Sequence, residues 1–167
     1  MLHLITGGER SGKSGHAMRQ ALERTATPYY IATARRWDAD FARRVDRHRA
    51  ERDARWRTIE AEKSIRHLRL PGEVAVLDCV TLWLTNIYTD HGYDLQCSLD
   101  EARAEFADWP AVGCELFVVT NEVGMGVHAA TAAGRKFVEL QGLMNQHIAQ
   151  AADAVTLMVS GLPVRIR

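Results

Sequence analysis

Cysteine is scarce in this 167-residue sequence. Cys79, Cys97 and Cys114 are widely spaced, odd in number and form no C-x-x-C pair. This pattern argues against a disulfide framework and against a zinc site, and it is typical of a protein of the reducing cytosol. We therefore expect all three cysteines to be small buried side chains, since an unpaired cysteine behaves mainly as a small hydrophobic residue.

The sequence also has no excess of charge of either sign and no long apolar run. The 21 basic residues balance the 21 acidic residues, so the total charge favours neither a nucleic acid nor a membrane surface as a partner. The best apolar stretch, residues 74–84, is interrupted by Asp78 and is shorter than the roughly 20 residues that span a bilayer. A strand predicted from residue 2 leaves no place for a signal peptide. We expect a cytoplasmic protein with no membrane span and no nucleic-acid partner.

What the sequence does contain is a complete phosphate-binding loop, or P-loop, of the pattern G-x-x-x-x-G-K-[ST]. An apolar run that predicts a strand precedes it and a predicted helix follows it, which is the context that this motif requires. Glycines let the backbone wrap around phosphates, while the loop amides and the helix N-terminus direct partial positive charge at the anion. Lys13 would reach the β- and γ-phosphates, and the Ser14 hydroxyl would bind Mg²⁺. The residues expected to bind nucleotide here are Gly7, Gly8, Glu9, Arg10, Ser11, Gly12, Lys13 and Ser14.

Short apolar runs alternate with longer amphipathic ones along the chain. The predicted strands are Leu2–Thr6, Tyr29–Ala32, Val74–Leu77, Leu116–Val119, Ala154–Val159 and a short Val164–Ile166. The predicted helices are Lys13–Thr25, Asp38–Arg52, Ala61–Leu70, Leu82–Thr89, Leu99–Asp108 and Ala130–Ala151, with a capping box from Ser98 to Glu101. This alternation predicts a P-loop NTPase-like three-layer α/β/α fold. Its sheet would be mainly parallel with a C-terminal antiparallel edge strand, in a single domain of residues 1–167.

Polar residues follow the predicted strands at the points where those strands end. Ligands of open α/β sheets bind at the carboxyl ends of the strands. Asp78 follows the apolar run of residues 74–77, which is the usual Walker-B position for a carboxylate that holds Mg²⁺ directly or through water. We expect Asp78 and Ser14 to hold Mg²⁺; the alternative for Asp78 is a residue that caps the next helix. Thr120-Asn121-Glu122 forms a second polar group after the fourth of these strands.

His48 lies in a segment rich in arginine. In a helix, Arg44, His48 and Arg52 share one face because they are four residues apart. Flanking guanidinium groups disfavour an imidazolium, so we expect the pKa of His48 to be lowered. A neutral imidazole is a nucleophile toward phosphorus, and arginines bind phosphate oxygens in pairs. Periodicity alone nevertheless favours a solvated basic helix with an incidental histidine.

Five blocks that occur in order along the chain give it a resemblance to a known family. They are Gly7-Gly8-x-Arg10-Ser11-Gly12-Lys13-Ser14, Tyr30-Ile31-Ala32-Thr33, Arg44-Val45-x-x-His48-Arg49-x-x-Arg52, Asp78-Cys79-x-Thr81-Leu82-Trp83-Leu84-Thr85-Asn86 and Thr120-Asn121-Glu122-Val123-Gly124-Met125-Gly126. With these blocks the sequence resembles the bifunctional adenosylcobinamide kinase/adenosylcobinamide-phosphate guanylyltransferase family of cobalamin biosynthesis. The P-loop is shared with many folds, whereas the third and fifth blocks are more specific to that family.

The resemblance implies a two-step transferase. ATP or GTP first phosphorylates adenosylcobinamide. GTP then donates GMP to His48 with release of pyrophosphate, and adenosylcobinamide phosphate attacks this intermediate to give adenosylcobinamide-GDP. Lys13 would act beside His48 in catalysis, Mg²⁺ would accompany ATP and GTP, and the protein would be a homotrimer. Outside the P-loop, the positions that match the family's nucleotide-contacting segments are Ala32, Thr33, Arg49, Ala50, Glu51, Arg52, Glu60 and Asp78.

Two alternatives stay open at this point. A plain P-loop small-molecule kinase would use the same loop, with His48 only structural. A switch protein would bind GTP without turning over a small molecule, although the sequence lacks the N-K-x-D guanine signature. The chain also departs from the family pattern at Asp53 and at His128-Ala129, where the family usually has proline. Glu60 either orients His48, binds the guanine edge or precedes a helix that begins at Ala61.

Overall fold

The computed structural model describes residues 1–50, 52–107, 109 and 113–167, apart from the side chains of residues 40, 41, 44, 47 and 48. The strands are β1 (Leu2–Gly7), β2 (Tyr29–Ala32), β3 (Arg57–Glu60), β4 (Val74–Asp78), β5 (Glu115–Val119), β6 (Ala154–Val159) and β7 (Leu162–Arg165). The helices are α1 (Lys13–Arg24), α2 (Ala39–Ala50), α3 (Val80–Asp90), α4 (Leu95–Phe106) and α5 (Ala132–Ala151). Within the described ranges, no helix is both long enough and apolar enough to cross a membrane.

All of these strands belong to one sheet with the order β3-β2-β4-β5-β1-β6-β7. Every neighbouring pair is parallel except β6 and β7, which are antiparallel. The predicted fold class, a mainly parallel sheet with an antiparallel C-terminal edge strand, is confirmed. In this order β5 lies between the P-loop strand β1 and the Asp78 strand β4.

The sheet is covered on both faces because its central strands are apolar on both sides. One face packs against α1, with Ile5 and Phe117 of the sheet meeting Ala17 and Ala21 of the helix. The opposite face packs against α3, α4 and α5 and forms the larger core. The side chains alternate between these two cores along β2, β4 and β5, as the twofold period of a strand requires. The three layers hold the carboxyl ends of the parallel strands at one edge.

The segment between Trp56 and Pro71 was predicted incorrectly. Residues Arg57–Glu60 form the edge strand β3, which alternates half-buried and exposed side chains and has little apolar content. The helix predicted for residues 61–70 does not form, and turns take its place. The backbone groups of residues 61–70 are bound by distant side chains. Trp83 donates to the Lys63 carbonyl at 2.7 Å, and Trp109 donates to the Ile65 carbonyl at 2.9 Å. The Glu105 carboxylate accepts from two amides of the same segment. These tertiary bonds replace the helical ones.

Helix α4 begins earlier than its capping box predicted. Asp94 is the N-cap, and its side chain accepts a hydrogen bond from the amide of Cys97 at 2.8 Å. Ser98 lies inside the first turn, where its hydroxyl donates to the Asp94 carbonyl. An aspartate satisfies the free amides of a helix start as well as a serine does, and Asp94 was not predicted to have this role.

The expectation for the cysteines is confirmed at two positions and wrong at the third. Cys79 and Cys114 are buried, whereas Cys97 is exposed on α4. All three are free thiols. The exposure of Cys97 follows from its position on the first turn of α4, whose buried side chains are Ser98, Leu99, Ala102 and Phe106.

Candidate active site

The P-loop connects β1 to α1 and needs glycine at two positions. Gly7 has φ +150° and Gly12 has φ +93°, conformations that side chains rarely adopt. A Cβ on Gly7 would lie 2.6 Å from the carbonyl oxygen of Met158 and 2.8 Å from Ser11 Oγ. The loop is also tied to the far end of the chain, because the amide of Gly161 donates to the Ser11 carbonyl at 3.0 Å. The loop shape is therefore fixed by both backbone conformation and packing.

Lys13, the first residue of α1, lies inside the curve of this loop. Its ammonium group donates to the Gly8 carbonyl at 2.5 Å and to Ser11 Oγ at 3.4 Å. The side chain is buried, and that burial lowers the pKa of Lys13 below its ordinary value. The nearby carboxylates of Asp78 and Glu9 oppose this effect. A lysine ammonium carries three donors, so Lys13 is placed to bind an anion that the loop encloses.

Asp78 ends β4 at the same edge of the sheet. Its Oδ2 accepts a hydrogen bond of 2.8 Å from the hydroxyl of Tyr30. Burial and the Asp78 carboxylate raise the pKa of Tyr30 well above its ordinary value, so the phenol stays protonated and acts as the donor. The predicted Walker-B carboxylate therefore has one oxygen fixed by a buried neighbour. The sequence predicted no role for Tyr30, although it belongs to one of the family-like blocks.

Glu122 lies closer to the P-loop strand than Asp78 does, and the set of predicted site residues omitted it. It follows β5, the strand that pairs with β1, and its amide donates to the Gly7 carbonyl at 3.1 Å. Its Oε1 accepts from the Thr6 hydroxyl at 2.7 Å and from the Asn145 amide at 3.2 Å. Asn145 belongs to a buried hydrogen-bond network with Thr120 and Gln141. The polar run Thr120-Asn121-Glu122 after the fourth predicted strand is the sequence feature that could have identified Glu122 as a site residue.

Thr33 follows β2 and is fully buried. Its hydroxyl donates to the Cys79 carbonyl and accepts from the Cys79 amide, both at 2.8 Å. The carbonyl of Thr33 accepts from the Asn86 side chain at 2.8 Å. Thr33 thus holds the backbone on either side of the site in place, and its expected contact with nucleotide stays a prediction.

A cleft of about 180 Å³ lies beside α2. Ala32 is among its lining residues, and its charged lining residues are Arg35, Arg36, Arg49, Arg52, Glu60 and Glu62. Arg49 Nη1 donates to Glu60 Oε1 at 3.3 Å, while Arg35 binds Glu62 at 2.7 Å and the Asp90 carboxylate through two further bonds. Arg36 in turn donates to the Asp46 carboxylate at 2.6 Å, so Arg35, Arg36 and Arg49 are each paired with a carboxylate. Glu60 ends β3, so the alternative that it precedes a helix is wrong.

Helix α2 contributes the remaining predicted residues. The backbone of His48 belongs to this helix, but its side chain is outside the part of the protein that the structure describes, as is the whole of Glu51. Ala50 is the exposed last residue of α2. Arg52 follows, with its guanidinium 4.0 Å from the centre of the Tyr30 ring. The structure therefore brings Ala32, Arg49, Arg52 and Glu60 to one cleft.

The residues at the P-loop fit a magnesium ion that is bound with a nucleotide. The described residues contain no cluster of three or more histidine, cysteine or acidic side chains that could hold a metal by themselves. Mg²⁺ does not need such a cluster, because it keeps several waters and is usually bound by one or two carboxylates and the substrate phosphates. A carboxylate at Asp78 and a hydroxyl at Ser14 are oxygen donors of the type that such a site uses, and their predicted role in holding Mg²⁺ stays a prediction.

The glycine loop between β1 and α1, the buried lysine and the carboxylate that ends β4 define a P-loop NTPase-like α/β protein. A family model described as cobinamide kinase / cobinamide phosphate guanyltransferase matches residues 3–166. The chain belongs to that family. The predictions of this family and of a transferase of cobalamin biosynthesis are confirmed.

Curated relatives agree with this assignment. The chain is 36% identical to the bifunctional adenosylcobalamin biosynthesis protein CobU of Escherichia coli over 182 aligned positions, which cover all of both chains. It is 36% identical to the bifunctional adenosylcobalamin biosynthesis protein CobP of Pseudomonas aeruginosa, over 100% of this chain and 98% of that one. Among solved structures, an ATPase domain is similar with a TM-score of 0.45 and 10% identity, covering 93% of this chain and 68% of that one.

Proposed function

We propose that this protein phosphorylates adenosylcobinamide with ATP or GTP and then transfers GMP from GTP to adenosylcobinamide phosphate, with adenosylcobinamide-GDP as the product. The observation that carries the proposal is the match over residues 3–166 to a family described by both activities, on a chain whose P-loop motif is complete. The arginine-lined cleft beside α2 supplies the second feature that nucleotidyl transfer needs.

In the kinase half, the P-loop amides and Lys13 bind the nucleotide phosphates. Phosphoryl transfer depends mainly on positioning and on neutralising charge, and Lys13 is already held beside the loop carbonyl of Gly8. Ser14 and Asp78 are the residues proposed to hold Mg²⁺. An ion held by these two residues would supply neutralisation of the phosphate charge.

In the guanylyltransferase half, His48 is the proposed nucleophile. A ring nitrogen of neutral His48 attacks the α-phosphorus of GTP, and the bond to the leaving pyrophosphate breaks. A phosphate oxygen of adenosylcobinamide phosphate then attacks the guanylyl group, and the bond to His48 breaks, which regenerates the imidazole. Val45 and Arg49 of the same helix line the cleft, which supports the placement of the reaction there. The covalent step divides one displacement into two, so GTP and the large corrinoid need not occupy the site together.

Arg49 and Arg52 are proposed to bind the triphosphate during this step. Guanidinium groups match phosphate oxygens in bidentate geometry. Arg49 is paired with the exposed Glu60 at 3.3 Å, and an exposed pair of this kind contributes little stability. A phosphate therefore competes readily for Arg49, and Glu60 is then free to bind the guanine edge or to orient His48.

The intact mass of the protein after incubation with GTP and Mg²⁺ tests the guanylyltransferase half. We expect a GMP adduct that is labile in acid and absent from the His48→Ala variant. His128→Ala is a matched control, since His128 is exposed in the segment before α5 and should keep the adduct. Folded protein that binds GTP but forms no adduct would overturn the proposed role of His48 and leave a plain kinase.

Transfer of the γ-phosphate to adenosylcobinamide tests the kinase half. A charged hydrogen bond contributes about 1.5–3 kcal/mol, so Lys13→Met should lower nucleotide affinity or turnover by roughly 10- to 150-fold. Lys136→Met, which changes an exposed lysine of α5, should leave both unchanged. Phosphorylation that survives Lys13→Met at the wild-type rate would contradict the assignment of the P-loop.

The assembly is also a proposal. We infer one domain of residues 1–167 that forms a homotrimer in the cytoplasm. That the described strands share one sheet supports the single domain. Val159, Leu162, Val164 and Ile166 are exposed apolar side chains at the β7 edge of that sheet, which supports association between copies. Sedimentation of the full chain should give three times the monomer mass; a monomer at micromolar concentration would contradict the trimer.

A further inference from the structure

Tyr30 is one side chain that contacts both halves of the proposed site. It lies in the middle of β2, with 5% of its surface exposed, and pairs with Val76 of β4 and Thr58 of β3. Its hydroxyl contacts Asp78, at the edge of the sheet where the P-loop lies. The face of its ring contacts Arg52, which lies just after helix α2.

The contact on the P-loop side is the hydrogen bond from the Tyr30 hydroxyl to Asp78 Oδ2, 2.8 Å long. A carboxylate that holds a metal needs its free oxygen aimed at the ion, and a bond to the other oxygen fixes the rotation of the group. Residues that orient a metal ligand in this way typically affect metal affinity by about 10- to 100-fold. Because Tyr30 is buried, its hydroxyl keeps one position and holds the Asp78 carboxylate in one orientation.

The contact on the cleft side is the stacking of Arg52 on the Tyr30 ring, at 4.0 Å from guanidinium carbon to ring centre. Arg52 Nε is buried and makes no hydrogen bond within the described residues, so the ring is a principal support of this guanidinium. Trp56 in turn meets the Tyr30 ring edge-on, with 5.9 Å between ring centres and 89° between ring planes. The ring that holds Arg52 is therefore itself held by a second aromatic side chain.

We propose that Tyr30 is a positioning residue for both half-reactions: its hydroxyl sets Asp78 for the magnesium–nucleotide complex, and its ring sets Arg52 for the phosphates in the cleft. This inference rests on the proposed function. The two contacts use different parts of one side chain, so they can be removed separately. Tyr30→Phe removes the hydroxyl and keeps the ring, whereas Tyr30→Leu removes both.

The test is the affinity for GTP, measured by calorimetry in Mg²⁺ and again in EDTA. In Tyr30→Phe the gain in affinity that Mg²⁺ brings should fall by roughly tenfold or more, with affinity in EDTA unchanged. In Tyr30→Leu the affinity in EDTA should also fall, by roughly 2- to 30-fold, which is the range of a cation–π contact. Asp78→Asn should reduce only the gain in affinity that Mg²⁺ brings. Arg52→Met should reduce only the affinity in EDTA.

Tyr29→Phe is the matched control. Tyr29 is the neighbouring residue of β2 and also lies under an arginine, with Arg57 at 3.8 Å from its ring centre, but its hydroxyl accepts from Arg57 at 3.1 Å instead of donating to Asp78. It should retain the wild-type response to Mg²⁺. A Tyr30→Phe protein that melts like wild type and keeps the full gain from Mg²⁺ would overturn the inference. The proposed function fails separately, if the wild-type protein itself gains no affinity from Mg²⁺ and forms no GMP adduct.

Discussion

Thr33 and Cys79 exchange two hydrogen bonds just beyond the carboxyl ends of β2 and β4. The hydroxyl of Thr33 donates to the Cys79 carbonyl and accepts from the Cys79 amide. The Thr33 side chain therefore continues the hydrogen bonding between β2 and β4 by one residue beyond the last backbone pair, Ala32 and Asp78. The backbone next to Asp78 is held by this exchange, and so is the start of α3.

Thr33→Val should destabilise the protein by about 1–3 kcal/mol, because it preserves shape but leaves a buried amide and a buried carbonyl without their partner. The free energy of unfolding in urea measures this loss. Thr58→Val is the control, since Thr58 is exposed on the edge strand β3, and a surface change of this kind stays within about 0.5 kcal/mol. Equal stabilities for the two variants would contradict the role given to the exchange.

Two adjacent glycines of the P-loop should differ sharply when each is replaced by alanine. Gly7→Ala forces a Cβ to within 2.6 Å of a backbone oxygen at a φ of +150°, so we expect a loss of at least about 1–3 kcal/mol and loss of nucleotide binding. Gly8→Ala meets no atom within 4 Å and should remain stable. Urea denaturation and GTP titration of the pair measure the difference, and comparable behaviour would show that the loop is more adaptable than its packing indicates.

The stability should decrease in mild acid, in part through His3. Burial lowers the pKa of His3 below its ordinary value, and its hydrogen bond to Glu115 opposes this only in part. The unfolded chain then binds the proton more tightly, so this contribution to stability is complete above a pH of about 6.5 and is lost as the pH falls below it. Urea denaturation from pH 8 to pH 5 should show a smaller decrease for His3→Gln than for wild type. Identical pH dependences would rule out this contribution.

A thiol reagent should distinguish the three cysteines of the native protein. Cys97 is exposed, whereas Cys79 and Cys114 are buried, and burial raises the pKa of Cys79 to about 12. Since the thiolate is the reactive form, iodoacetamide should add one group per native chain and three in urea. Mass spectrometry counts the groups, and Cys97→Ser should abolish the native reaction. The rate should rise with pH as the thiolate forms, and this rise should come at higher pH than for an ordinary thiol, because the hydrogen bond to Asp94 raises the pKa of Cys97.

The parts of the fold that the sequence predicts well are the local ones. The P-loop is a continuous motif whose glycines determine the backbone path, and the apolar runs of β1, β4 and β5 are buried on both faces, so composition alone identifies them. Residues 61–70 carry helix-like spacing, yet their backbone groups are bound by Trp83, Trp109 and Glu105. No local pattern reveals those partners, since they lie up to 44 residues away in sequence.

The candidate site also has a part that the sequence predicts and a part that depends on distant contacts. Lys13, Ser14 and Asp78 follow from motifs, while the bonds that hold the site together come from afar: Thr6 and Glu122 are 116 residues apart, and Tyr30 and Asp78 are 48 apart. A single sequence does not show such pairings, because they depend on the strand order. The position of β5 between β1 and β4 is what brings Glu122 to the loop.

The location of β1 in the sheet has a consequence for folding. Both neighbours of β1 come from the second half of the chain, with Leu2 paired to Leu116 and His3 to Ala154. Closing such long loops costs entropy before any contact repays it, and chains rich in distant contacts fold slowly. We expect the P-loop to acquire its final shape only after β6 and Gly161 have been made, because both contact it. Nucleotide binding would then report the completion of folding, and an arrested N-terminal fragment would carry the whole motif and bind nothing.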